Sequence, residues 1–88
     1  MWYNCRMDIP LTNLPPNADQ LVGRTFVHFK GNRYELVGYA RDSETCETMV
    51  VYRQLYGEHG LWVRPAKMFF ETIERDGRMI RRFAPEEA

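Results

Sequence analysis

The sequence predicts a small all-β fold, an SH3-like barrel or else an open β-roll, of five to six short strands with one short helical turn. Three observations carry this. Runs rich in β-branched and aromatic residues, such as "RTFVHF", "RYELVGY" and "TMVVYRQLY", recur along the chain, and such residues suit a pleated, half-buried surface. Compact turn signals separate them, at Gly31-Asn32, in "GEHG" and at Asp76-Gly77. No long helix is legible, and a set of short strands with tight turns is the pattern of a small barrel or roll.

Residues 1–22 read as an irregular arm. "IPLTNLPPNADQL" carries three prolines, which fix φ and remove ladder donors. The arm is expected to lie as a lid over one end of the core, held by Trp2, Tyr3, Ile9 or Leu14, or else to dock on a partner. The organised domain spans residues 23–83, and residues 84–88 read as a frayed tail. "RTFVHFKGNRYELVGYAR" predicts a hairpin with a two-residue loop at Gly31-Asn32. That register sets Phe29 opposite Tyr34 and Val27 opposite Leu36 on the core side. His28 then faces Glu35 and Phe26 faces Val37 on the other side.

"RDSETCE" follows as a capped loop. "TMVVYRQLY" fits a helix that Ser43 caps and Gly57 stops, but Val50-Val51-Tyr52 favours a strand. "LWVR" is a short strand that Pro65 ends, and "PAKM" is a helical turn with proline at its first position. "FFETIERDGRMIRRF" is a hairpin about Asp76-Gly77, with Ile73 facing Ile80 and Glu71 facing Arg82.

The 88 residues suit one domain with a modest core. With 44% hydrophobic and 27% charged residues the chain is ordinary for a globular protein. The formal net charge is zero, which excludes bulk electrostatic attraction to nucleic acid. Charge is nonetheless uneven. Asp42, Glu44 and Glu47 form an acidic knot, and Arg75, Arg78, Arg81 and Arg82 cluster later, diluted by Glu71, Glu74 and Asp76. Cys5 and Cys46 have no metal spacing and read as reduced thiols of a cytoplasmic protein. The start "MWYNCRMDIP" lacks a basic lead followed by an apolar run and is not expected to be a signal peptide, and no apolar run approaches membrane-spanning length.

The pieces "HFKG", "SET", "VVY", "LYG" and "LWVRP" followed by "MFF" carry a family resemblance. Over residues 28–71 the chain resembles a small bacterial family, domain of unknown function 1653, and the likeness continues weakly through Asp76-Gly77 and Arg82-Phe83. It implies a bacterial, uncharacterised protein and carries over no catalytic or binding residue. Where the family pattern often has a His, two residues before Glu44, this chain has Asp42. The arm lies outside the likeness.

The candidate binding residues are Trp62, Arg64, Glu44, Thr45, Tyr52, Tyr56 and His28. If Leu61 and Val63 point inward, Trp62 and Arg64 share the outer face, as a platform for a planar group, a carboxylate or a phosphate. The competing reading is structural: Arg64 pairs with Glu44 or Glu47 while Trp62 covers a core edge. The carboxylates of "DSETCE" are either an acid-base pair or, more simply, groups of a capped loop. Tyr34, Tyr39, Tyr52 and Tyr56 with Phe26 and Trp62 either line an aromatic groove or fill the core. His28 and His59 lack companions at ligand spacing, so no metal or cofactor is expected.

The favoured function is a small non-catalytic binding module that uses a Trp/Arg/Tyr surface for a peptide or protein partner, with RNA second. The alternatives are a small enzyme or enzyme accessory using Glu44 or Glu47 in a pocket, and a homo-oligomeric, for instance dimeric, structural module.

Overall fold

The structure is a computed structural model that describes residues 10–86. The strands are β1 (Thr25–His28), β2 (Arg33–Arg41), β3 (Thr48–Gln54), β4 (Leu61–Pro65), β5 (Thr72–Arg75), β6 (Arg78–Arg81) and β7 (Phe83–Pro85). Two single-turn helices, α1 (Ala18–Leu21) and α2 (Ala66–Phe69), complete the architecture. An antiparallel sheet in the order β4-β3-β2-β1-β7 packs with a separate β5-β6 hairpin. The larger sheet does not close on itself, because β4 and β7 remain its edges. The fold is therefore the open β-roll and not a closed barrel.

Burial explains the arrangement. Phe26, Leu36, Val50, Tyr52, Ala66, Phe69 and Phe83 form the core, each 6% exposed or less. Phe69 stacks on Phe83 at 4.1 Å with the rings 7° from parallel, and meets Phe26 edge-on at 5.3 Å. Burying rings of this size is the main stabilising contribution open to so small a domain. The strand expected in "TMVVYRQLY" is β3: Thr48, Val50 and Tyr52 are buried with a period of two. Pro65 ends β4 and leads into α2, whose Ala66 and Phe69 are buried. The Asp76-Gly77 hairpin pairs Ile73 with Ile80, and Glu71 meets Arg82 just beyond it.

The first hairpin differs in register. Thr25 pairs with Glu35, Phe26 with Tyr34 and Val27 with Arg33. The connection is a wider turn in which the His28 N–H donates to the Asn32 carbonyl (2.8 Å) and the Gly31 N–H to the His28 carbonyl (2.7 Å). Gly31 supports it at φ 107°. Phe29 leaves the ladder because its N–H donates to the Arg82 carbonyl (3.0 Å) and its ring lies 5.1 Å from the Arg75 guanidinium. The slip is an odd number of residues, so β1 changes face. Phe26 and His28 lie on the core side, and the expected His28–Glu35 pair does not form. A second irregularity lies between Leu36 and Gly38 in β2. It lets Leu36 and Tyr39, three residues apart, both point to the core face, opposite Tyr52 and Val50.

The arm is less irregular near the domain than its prolines suggest. Ala18 and Leu21 of α1 are buried and Leu14 packs on the core. The Tyr39 hydroxyl donates to the Ala18 carbonyl (2.7 Å) and fastens the turn. Trp2, Tyr3 and Ile9 lie outside the described residues. Ala84 and Pro85, expected to fray, are part of β7, which pairs with β1 from Phe26↔Pro85 to His28↔Phe83. Glu86 continues the order, with its carboxylate 3.0 Å from Arg33. Cys46 is disulfide-bonded, which corrects the expectation of a reduced thiol and removes the ground for a cytoplasmic placement. The other cysteine of the sequence, Cys5, lies outside the described residues. Among the described residues no helix is long and apolar enough to cross a membrane.

Candidate functional site: an aromatic and arginine cleft at the sheet edge

The site begins with the register of β4 against β3. Val50 pairs with Arg64 and Tyr52 with Trp62. Directly paired residues share a face, and Val50 and Tyr52 are core residues. Trp62 and Arg64 therefore stand on the core side of the sheet, at its rim. Leu61 and Val63 face the opposite side, beside Arg53 and Val51. This reverses the expected facing. Sequence alternation shows which residues share a face but not which face is covered. At an edge strand neither is fully covered: Leu61, Trp62 and Val63 are 55%, 56% and 59% exposed.

The Arg64 guanidinium is half-buried, lies 5.6 Å over the Phe83 ring and donates from Nε to the Tyr52 hydroxyl (3.4 Å). It forms no ion pair with any described carboxylate, so the expected tie to Glu44 or Glu47 is not made. The acidic loop is tied instead by Lys67 of α2, 3.5 Å from Glu47. Glu44 is exposed on a turn organised by Asp42, whose Oδ1 accepts the Glu44 N–H (2.8 Å) and the Thr45 N–H (3.1 Å). Those two bonds, the Glu44 one first, hold the Asp42 carboxyl below its ordinary value. The Thr45 hydroxyl accepts the Glu47 N–H (3.2 Å). Thr45 thus serves the loop, and neither it nor Glu44 is brought to the cleft by any contact.

Tyrosines extend the cleft beyond Arg64. The Tyr34 and Tyr56 hydroxyls share a hydrogen bond of 2.9 Å, and the Tyr34 ring meets Tyr52 edge-on at 5.3 Å. Burial first, then the Tyr56 hydrogen bond, pushes the Tyr34 phenol up to about 12, so it remains a neutral hydroxyl. The Trp62 indole N–H donates to the Gln54 side-chain oxygen, and the Gln54 amide donates to the Tyr56 carbonyl (3.2 Å). Gln54 thus links the indole to the "GEHG" turn.

Across the cleft, the His28 ring packs edge-on against Phe83 at 4.8 Å. Its Nδ1 accepts the Lys30 N–H (3.1 Å), which leaves the proton of the neutral ring on Nε2. Burial first, then the charges of Arg64, Arg82 and Lys30, lowers its pKa below 6.5. A depressed imidazole opposes protonation of the folded state. The stability this gives is full above the unfolded value of 6.5 and is lost as pH falls through the folded value. Replacing His28 by glutamine is therefore expected to flatten the loss of stability as pH falls below 6.5. Urea melts of both proteins over that fall in pH check it, and parallel curves would refute it.

Arg82 directs Nε (2.8 Å) and Nη2 onto one oxygen of Glu71. Arg82, Gln54 and Phe83 were not among the residues singled out as candidates. The place of Phe83 depends on β7 pairing with β1, and Pro85 with the acidic residues after it disguised that strand, whereas Gln54 is placed by its bonds to Trp62 and Tyr56. Tyr52, Tyr56, Trp62, Arg64 and His28 do converge here.

The arrangement defines an open antiparallel β-roll with a cluster of aromatic rings and one arginine on the core side, reaching from β1 and β7 to the β4 rim. The chain belongs to the family described as protein of unknown function DUF1653, whose model matches residues 24–85. A crystal structure of a protein of that family from Bordetella bronchiseptica is similar, with a TM-score of 0.64 and 34% identity. The likeness covers 70% of this chain and 82% of that one. No curated protein matches the chain.

Proposed function

We propose that the domain is a non-catalytic peptide-binding module. An extended acidic segment adds as a strand to the edge of β4 that no described strand covers, and one of its carboxylates meets Arg64. The observation that carries this is the half-buried Arg64 guanidinium, fixed on Phe83 and Tyr52 without a described carboxylate partner. A half-buried cation held in place favours an anionic partner. The rest of β4 agrees. It is an edge strand, and three consecutive apolar residues on it are more than half exposed. Such an edge is an aggregation hazard unless a partner covers it. Strand addition uses its unpaired backbone for affinity and alternate side chains, here Trp62 and Arg64, for specificity. Against the enzyme reading stand the exposure of Glu44, the capping role of its turn and the Glu47–Lys67 pair.

Amide NMR titration with an acidic, strand-forming hexapeptide and its glutamine-substituted twin tests the proposal. The acidic peptide is expected to shift β4 amides. Arg64→Gln should weaken it about tenfold or more while melting within a few degrees of wild type. Equal binding of both peptides, or shifts away from β4, would defeat the reading. A dimer that forms with rising concentration and is abolished by Val63→Lys would assign the edge to a second copy of the chain instead.

A further inference from the structure

A cavity of about 310 Å³, whose lining includes neither Arg64 nor Trp62, takes no part in the reading above. Its wall is apolar. Phe26 of β1, Phe70 at the end of α2, Phe83 of β7 and Leu21 of α1 all line it. Its polar members are Asn17, Thr72 and Arg81. Asn17 precedes α1 but makes no side-chain cap there, so its amide is not committed to the helix. Arg81 lies opposite Thr72 in the β5-β6 ladder, is exposed, and forms no ion pair with a described carboxylate. An apolar hollow with a few convergent polar groups is the usual form of a small-molecule site.

We infer that this cavity binds a small free carboxylic acid with an aromatic body, the ring against Pro15, Phe70 and Pro85, the partly exposed apolar members of the wall, and the carboxylate toward Arg81. The volume lies at the floor of the usual range for ligand pockets, roughly 300–1,000 Å³, which selects a single-ring molecule. One guanidinium matches one monoanion in a two-pronged hydrogen bond, whereas a phosphate dianion leaves charge unmet. Asn17 and Thr72 supply further hydrogen bonds beside the carboxylate. The Phe70 ring and the flat faces of Pro15 and Pro85 favour a flat body, since an edge-on or offset ring contact adds to plain burial.

The test uses the full chain with sodium benzoate as probe and benzyl alcohol as its uncharged counterpart. Heteronuclear NMR is expected to show saturable shifts at the Asn17 side-chain amide, the Thr72 amide and the Arg81 Nε. Arg81→Gln, a change at an exposed position, should weaken benzoate about tenfold and leave benzyl alcohol unchanged. Arg64→Gln should leave benzoate binding intact, which separates this site from the edge cleft. Three results would overturn the inference: no saturable shift, equal affinity in Arg81→Gln, or shifts that gather around Arg64.

Discussion

Replacing Phe69 by alanine should cost about 3–5 kcal/mol, as large-to-small changes of buried aromatics do. Phe69 is fully buried, stacked on Phe83, edge-on to Phe26 and 5.4 Å from Tyr52. With Ala66 it anchors α2 on the sheet, and the cavity left behind is lined by rings from three strands. Rings held by several elements relax poorly into such a gap, which places the cost toward the upper end. Domains in general have only about 5–15 kcal/mol in total, and one this small sits low in that range. The variant is thus expected to be largely unfolded or close to it at room temperature. Urea denaturation followed by circular dichroism measures this. A loss under about 1 kcal/mol would mean that Phe83 and Phe26 close the gap unaided, and that the core is not centred where its ring contacts place it.

The second large effect is expected at Glu71. Its carboxylate receives two N–H groups of Arg82, and the two side chains are 35% and 22% exposed. Deleting one partner of a partly buried pair strands the other charge, which costs more than the pair itself contributes. Glu71→Ala should cost about 1–3 kcal/mol, while Arg82→Ala added to it should restore part of the loss. The Glu71 carboxylate also offsets the guanidinium that helps depress His28. Its removal should therefore move the His28 titration further down, visible in the imidazole resonances. If Glu71→Ala melts like wild type and His28 titrates unchanged, the pair is only a surface contact.

Most strands were legible because their signals are local. β-branched runs marked β2 and β3, Asp76-Gly77 marked the β5-β6 turn, and Pro65 marked the end of β4. Registers were less legible because tertiary contacts set them. Gly31-Asn32 is a good two-residue turn by itself, yet Phe29 is drawn out of the ladder by Arg82 and Arg75, and β1 slips. That slip moves Phe26 and His28 across the sheet. The same difficulty affected β4. The pairing of Trp62 with Arg64 on one face could be read from alternation, but the covered face depends on which face of β3 is apolar. β7 was missed because Pro85 and the glutamates resemble a tail. As an edge strand it tolerates the proline, and Glu86 finds Arg33. In the site, Trp62, Arg64, Tyr52, Tyr56 and His28 came together as a set, whereas Glu44 and Thr45 belong to the loop that Asp42 organises.

The pairing of β7 with β1 also bears on how the chain assembles. Phe83 touches Phe69, Tyr52, Tyr34 and His28, yet its strand pairs with one that begins at Thr25. A nascent chain that has emerged only through β6 holds the sheet's other strands but lacks the ring against which they close. Its aromatic residues remain in contact with water until the last strand arrives. Pairing across so long a stretch of sequence is slow because the loop must close before the contact rewards it. Until Phe83 arrives, the same Phe26, Tyr52 and Phe69 that later hold the domain together are open to any chaperone or neighbouring chain within reach.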